Sequence, residues 1–130
     1  MNFRTKNPVT HIDVTTLQAN GGLANGTVPT KQGIVTMTVG GYLFVDNGNG
    51  NQKIEAAYQY ADGDGNILPT SNNNKLELDS AKVGSIDAIS ASLGNSGASF
   101  SEHFRADVKS YAMSEFAKVF NVDISDIEEI

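Results

Sequence analysis

The sequence predicts an α+β domain: an antiparallel sheet of three to five strands with one long C-terminal amphipathic helix, and room for a second helix, packed on one face. Two observations predict it. Residues 35–60 carry apolar side chains at every second position on either side of an Asn/Gly-rich turn, the signature of a half-buried hairpin. From about residue 99 to 120 the apolar spacing changes to three and four, the period of one helical face. Strands with one polar face suit an antiparallel sheet, which can leave that face in water.

Taken in order, residues 1–32 are rich in Asn, Thr, Gly and Gln, with little apolar pattern beyond Val9, Ile12, Val14 and Leu17. They predict a short strand within residues 9–16, then a flexible connector through Ala19-Asn20-Gly21-Gly22-Leu23-Ala24-Asn25-Gly26, where ordering glycine costs the most entropy. Such a segment is either disordered or ordered by a neighbour. This gives a three-part division: an extended arm and connector over residues 1–32, an α+β domain over 33–120 and an acidic tail over 121–130.

Within the domain, Val35, Met37 and Val39 face one side and Thr36 and Thr38 the other. Gly40-Gly41 then interrupts the strand, as at a bulge, before Tyr42-Leu43-Phe44-Val45 resumes it. After the turn Asp46-Asn47-Gly48-Asn49-Gly50-Asn51, Ile54, Ala56, Tyr58 and Tyr60 alternate with Lys53, Glu55, Ala57 and Gln59. A second turn, Asp62-Gly63-Asp64-Gly65-Asn66, leads to Ile67-Leu68, and Leu76 and Leu78 mark a short further strand. Residues 80–93 fit a helix carrying Val83, Ile86, Ile89 and Leu93 or an alternating strand. The long helix opens on a capping box, Ser99-Phe100-Ser101-Glu102, and its stripe is Phe100, Phe104, Val108, Tyr111, Ala112, Phe116 and Val119. Val122, Ile124, Ile127 and Ile130 thread the tail, with Asp123 or Ser125 placed to cap a final turn.

Bulk composition narrows the function. One domain is expected for 130 residues, and the absence of cysteine removes disulfides, thiolate metal sites and thiol nucleophiles. A net charge of -6 argues against direct nucleic-acid binding. No apolar run reaches the roughly 20 residues of a membrane span. No apolar stretch follows the basic residues of the N-terminus, so no signal peptide is expected and Asn25-Gly26-Thr27 reads as a chance glycosylation triplet. The charge is uneven: Arg4, Lys6, Lys31 and Lys53 outnumber Asp13 and Asp46 in the first 53 residues, whereas Asp123, Asp126, Glu128 and Glu129 crowd the last eight. The pattern serves solubility, or brings a basic arm and an acidic tail together between subunits.

No chemical motif is complete. Asp62-Gly63-Asp64-Gly65-Asn66 resembles a calcium loop, but Ile67 and Asn73 stand where the EF-hand needs Gly and Glu, so a turn is expected. His103 and Asp107 lie one helical turn apart without a third ligand, which predicts solvated surface rather than metal. Gly40-Gly41 lacks the Lys and the spacing of a phosphate loop. With His11 and His103 isolated, no nucleophile and base converge, and neither enzyme activity nor a cofactor is expected. Glu115 falls on the apolar stripe, which implies either a stripe open to solvent there or a salt bridge across a subunit boundary. Tyr42, Tyr58 and Tyr60 read as core residues or, alternatively, as a stacking platform for a sugar or a base.

The hairpin Tyr58-Gln59-Tyr60-Ala61-Asp62-Gly63-Asp64-Gly65-Asn66-Ile67, with the helix end Ser114-Glu115-Phe116-Ala117-Lys118-Val119-Phe120-Asn121-Val122, resembles small virion structural proteins of tailed bacteriophages. The resemblance spans roughly residues 33–130 and rests on composition and layout. It implies a non-enzymatic capsid-decoration or neck/tail ring subunit, made in the host cytoplasm and partnered by copies of itself and other virion proteins. On that reading Arg4, Lys6, Glu115, Asp123, Ile124, Asp126, Ile127, Glu128, Glu129 and Ile130 are the expected assembly contacts. Two alternatives stand beside it. A small acidic inhibitor or adaptor would show its acids as one exposed face towards a basic host partner, and a carbohydrate-binding module would present its tyrosines.

Overall fold

The computed structural model describes residues 1–21, 27–46, 52–70, 74–79 and 102–130. The protein is α+β. Among the described residues its main sheet has six antiparallel strands: β1 (Asn2–Thr5), β4 (Thr36–Asp46), β5 (Gln52–Ala61), β6 (Ile67–Leu68), β7 (Lys75–Asp79) and β8 (Ile127–Glu129). They run in the order β6-β5-β4-β1-β8, and β7 pairs with the remaining part of β5. A separate ribbon joins β2 (Val9–Ile12) to β3 (Thr30–Gly33), with the short helix α1 (Val14–Ala19) between them. The long helix α2 (Glu102–Phe120) precedes a 3-10 turn (Ile124–Asp126) and β8.

The alternation predicted for the hairpin is what the sheet uses. Val35, Met37, Val39, Ile54, Ala56, Tyr58 and Tyr60 are buried on the inner face, joined by Leu76 and Leu78 of β7. The Gly40-Gly41 interruption is a bulge, with the β4–β5 register shifting between Gly40 and Leu43. Gly41 sits at φ +63°, a conformation that side-chain-bearing residues rarely adopt. Val108, Ala112, Phe116 and Ala117 of α2 lie in the same core, where Tyr60 meets the rings of Phe116 and Phe120 at 5.2 and 5.0 Å.

Three expectations change. Residues 1–32 are not simply an extended arm, because β1 lies inside the main sheet between β4 and β8. The strand expected over residues 9–16 stops at Ile12, where Asp13 caps α1 by accepting the Thr16 N–H at 3.1 Å. A cap of this kind outweighs the weak β-propensity of Thr15 and Thr16. The helical stripe is also rotated: Tyr111 and Val119 border solvent while Ala117 is buried. The capping box at Ser99, the choice between helix and strand for residues 80–93 and the turn over residues 47–51 lie outside the described residues.

Candidate functional site

The basic N-terminus and the acidic C-terminus meet, and they do so within one chain. β1 pairs with β8 in the register Phe3↔Glu129, Arg4↔Glu128 and Thr5↔Ile127. Arg4 Nε lies 2.7 Å from Glu128 Oε1 on the outer face. On the inner side Glu129 takes Arg105 Nη2 at 2.6 Å and Lys109 Nζ at 3.5 Å. Ile127 is buried, the Lys6 N–H donates to the Asp126 carbonyl at 2.7 Å, and the Ile130 N–H donates to the Asn2 carbonyl at 2.9 Å. Asp123 caps the final turn by accepting from the Ser125 N–H and hydroxyl at 3.0 and 2.9 Å. Those hydrogen bonds, backbone first, hold its carboxyl below the usual range. Ile124 and Ile130 remain exposed.

Glu115 has a third arrangement besides the two that its position on the stripe implies. It is partly buried and accepts the Tyr58 hydroxyl at 3.2 Å, tying α2 to β5. Of the tyrosines, Tyr58 and Tyr60 are buried in the core, 5% and 0% exposed, and Tyr42 is half-buried. Burial, reinforced by nearby Tyr58 and Glu115, pushes the Tyr60 phenol far above its ordinary range, so it stays protonated.

The Asp62 turn is built around one carboxylate. Asp62 Oδ1 accepts the N–H groups of Asp64 and Asn66, both at 2.9 Å, and Oδ2 accepts Asn66 Nδ2 at 3.1 Å. Its side chain is 1% exposed, with Lys31 Nζ at 3.9 Å. The lone pairs that a calcium ion would need are turned onto the loop itself, as in an Asx turn. His11 is also buried, with Nδ1 2.9 Å from the Ile12 carbonyl and Nε2 against Gly33, where a Cβ would come within 2.9 Å. Among the described residues no group of three or more His, Asp or Glu side chains could hold a metal, and no helix is long and apolar enough to cross a membrane.

Among the described residues, the outer face of the sheet is left open. Helix α2 covers the inner face, while Thr38, Gly41, Leu43, Ala57 and Gln59 stand exposed on the other. The glycines of the bulge and the small Ala57 leave a depression of about 230 Å³ lined by Thr38, Gly40, Gly41, Ala57, Tyr58 and Gln59. Leu43 stands beside it, 56% exposed. Its cross-strand partner is Glu55, so Leu43 projects on the outer face with the polar residues of β5. Ion pairs on this face join Arg4 with Glu128, Lys53 with Glu77 at 3.2 Å, and Glu55 with Lys53 and Lys75, both at 3.5 Å.

No family model, no characterised protein and no solved structure matches this chain.

Proposed function

We propose that this chain is a non-enzymatic structural component of a tailed-bacteriophage virion, a capsid-decoration or neck/tail ring subunit working through repeated contacts. Its partners are copies of itself and other virion proteins. The observation that carries the reading is the outer sheet face, left uncovered among the described residues, with small uncharged side chains around its depression and its ionic side chains paired with one another. Depletion of charge at the centre of a patch is the compositional mark of protein–protein interfaces. The acids of the tail do not form one presented face, since Glu128 and Glu129 are held by Arg4, Arg105 and Lys109, which weighs against the inhibitor alternative.

The test is the solution mass of the purified protein by light scattering over a range of concentration and salt. A discrete multiple of the 13.8 kDa chain is the expected result. A single-chain mass under every condition would overturn the repeated-contact reading.

A further inference from the structure

We propose that the outer sheet face docks a second copy of this chain about a two-fold axis, with Leu43 of each copy seated in the other's depression over Gly40, Gly41 and Ala57. The proposal rests on the repeated-contact reading and names the surface and the partner. It follows from two neighbouring rows across β4, β5 and β7. In one row Leu43 stands opposite Glu55, which stands opposite Glu77. In the next, Gly40 stands opposite Ala57, which stands opposite Lys75.

A two-fold axis running between these rows, perpendicular to the strands, lays the first row of one copy on the second row of its partner. Leu43 then meets the depression at Gly40, Glu55 meets the small Ala57, and Glu77 meets Lys75. An apolar knob falls on a hole and an acid falls on a base, each contact occurring twice. Isologous contact requires this self-complementarity. Two sheets packed face to face keep their strands within about 30° of alignment, so the rows stay in register near the axis.

Charge also selects a second copy over a foreign partner. By strand register the outer face carries Arg4, Lys53 and Lys75 against Glu55, Glu77, Asp79 and Glu128, a balance of -1. The whole chain carries -6. Two copies therefore meet here with little of the like-charge repulsion that their net charge imposes in general. Glu77 and Lys75 are about half exposed within one chain and keep room to bind across the interface.

The experiment measures dimer affinity by sedimentation velocity, with circular dichroism to confirm that each variant is folded. Leu43→Asp places a charge in the apolar depression and is expected to weaken association about a hundredfold or more. Lys75→Glu alone faces the partner's Glu77, and Glu77→Lys alone faces the partner's Lys75, so each is expected to lose about tenfold or more. An equimolar mixture of these two variants restores both contacts and should associate within about threefold of the unmodified protein. Changes within each chain are the same alone and in the mixture, so only a contact between copies gives this recovery. An oligomer unmoved by Leu43→Asp, or a mixture no tighter than its components, overturns the proposed face while leaving the repeated-contact reading intact. A monomer at all concentrations overturns both.

Discussion

Asp62 shows how one side chain can hold a turn and how little of that is visible in its motif. The string Asp62-Gly63-Asp64-Gly65-Asn66 announces a turn through its composition, and a turn is there. Which aspartate is buried depends on Lys31 and on the β5–β6 pairing, neither of them adjacent in sequence. Burial by itself would raise the Asp62 pKa. The Asn66 backbone and side chain, the Asp64 N–H and Lys31 outweigh it and hold the carboxyl below its ordinary 3.8. A carboxyl depressed on folding stabilises fully above the unfolded value and loses that contribution as pH falls through the folded one. Asp62→Asn is therefore expected to cost about 1–3 kcal/mol at pH 7 in urea unfolding, with the gap narrowing at pH 3. An equal gap at both pH values would contradict this. Leu43 was legible only as a strand residue, because its prominence comes from the bulge beside it.

Among the elements, the central hairpin was readable almost residue by residue. Its alternation is local, and a slip of one position would exchange Ile54, Ala56, Tyr58 and Tyr60 for Lys53, Glu55, Ala57 and Gln59 in the core. Helix α2 was readable as a helix but not in its rotation. Its described seam is Val108, Ala112 and Phe116, and the arc extends to Ala117 rather than to Tyr111 and Val119. Periodicity fixes the width of an apolar arc, whereas the sheet beneath decides which border is covered. The Tyr58–Glu115 bond marks one such border, and it pairs residues 57 positions apart. Phe116 is the centre of the seam, fully buried against Tyr60 and Phe120. Phe116→Ala is expected to cost about 3–5 kcal/mol, measured as a lower urea midpoint with an unchanged slope. A loss under 1 kcal/mol would mean that the helix is not anchored there. The short elements β1, β8 and α1 escaped the sequence because segments of three to six residues carry too little pattern and are set by distant partners.

For the molecule as a whole, the decisive fact is that the two ends of the described chain close the same sheet. The ion pairs Arg4–Glu128 and Arg105–Glu129 mark the closure, but they are exposed and contribute about 0–1 kcal/mol each. The larger share comes from buried Ile127 and from the backbone pairing of β8. Added salt is thus expected to lower the melting temperature only slightly. Removing residues 124–130 should cost about 3 kcal/mol or more and expose the edge of β1. The check is thermal unfolding of the two forms side by side, together with light scattering for aggregation. If the shortened chain melts with the full one, β8 is not part of the stabilising sheet. The charge asymmetry of the two halves was plain from composition, and so was their attraction. Whether they meet in one chain or in two depends on the length and path of everything between them, which composition does not carry.

The placement of β1 also sets a clock. Its first side pairs with β4 soon after that hairpin is made, but its second side waits for residues 127–129. At a synthesis rate of about 5–20 residues per second, a nascent chain spends several seconds with a strand of its sheet unpaired. A message cut short before β8 yields a body that cannot finish, with an open edge of the kind that chaperones and proteases recognise. Pairing with residues 127–129 is thus the step that closes this edge of β1.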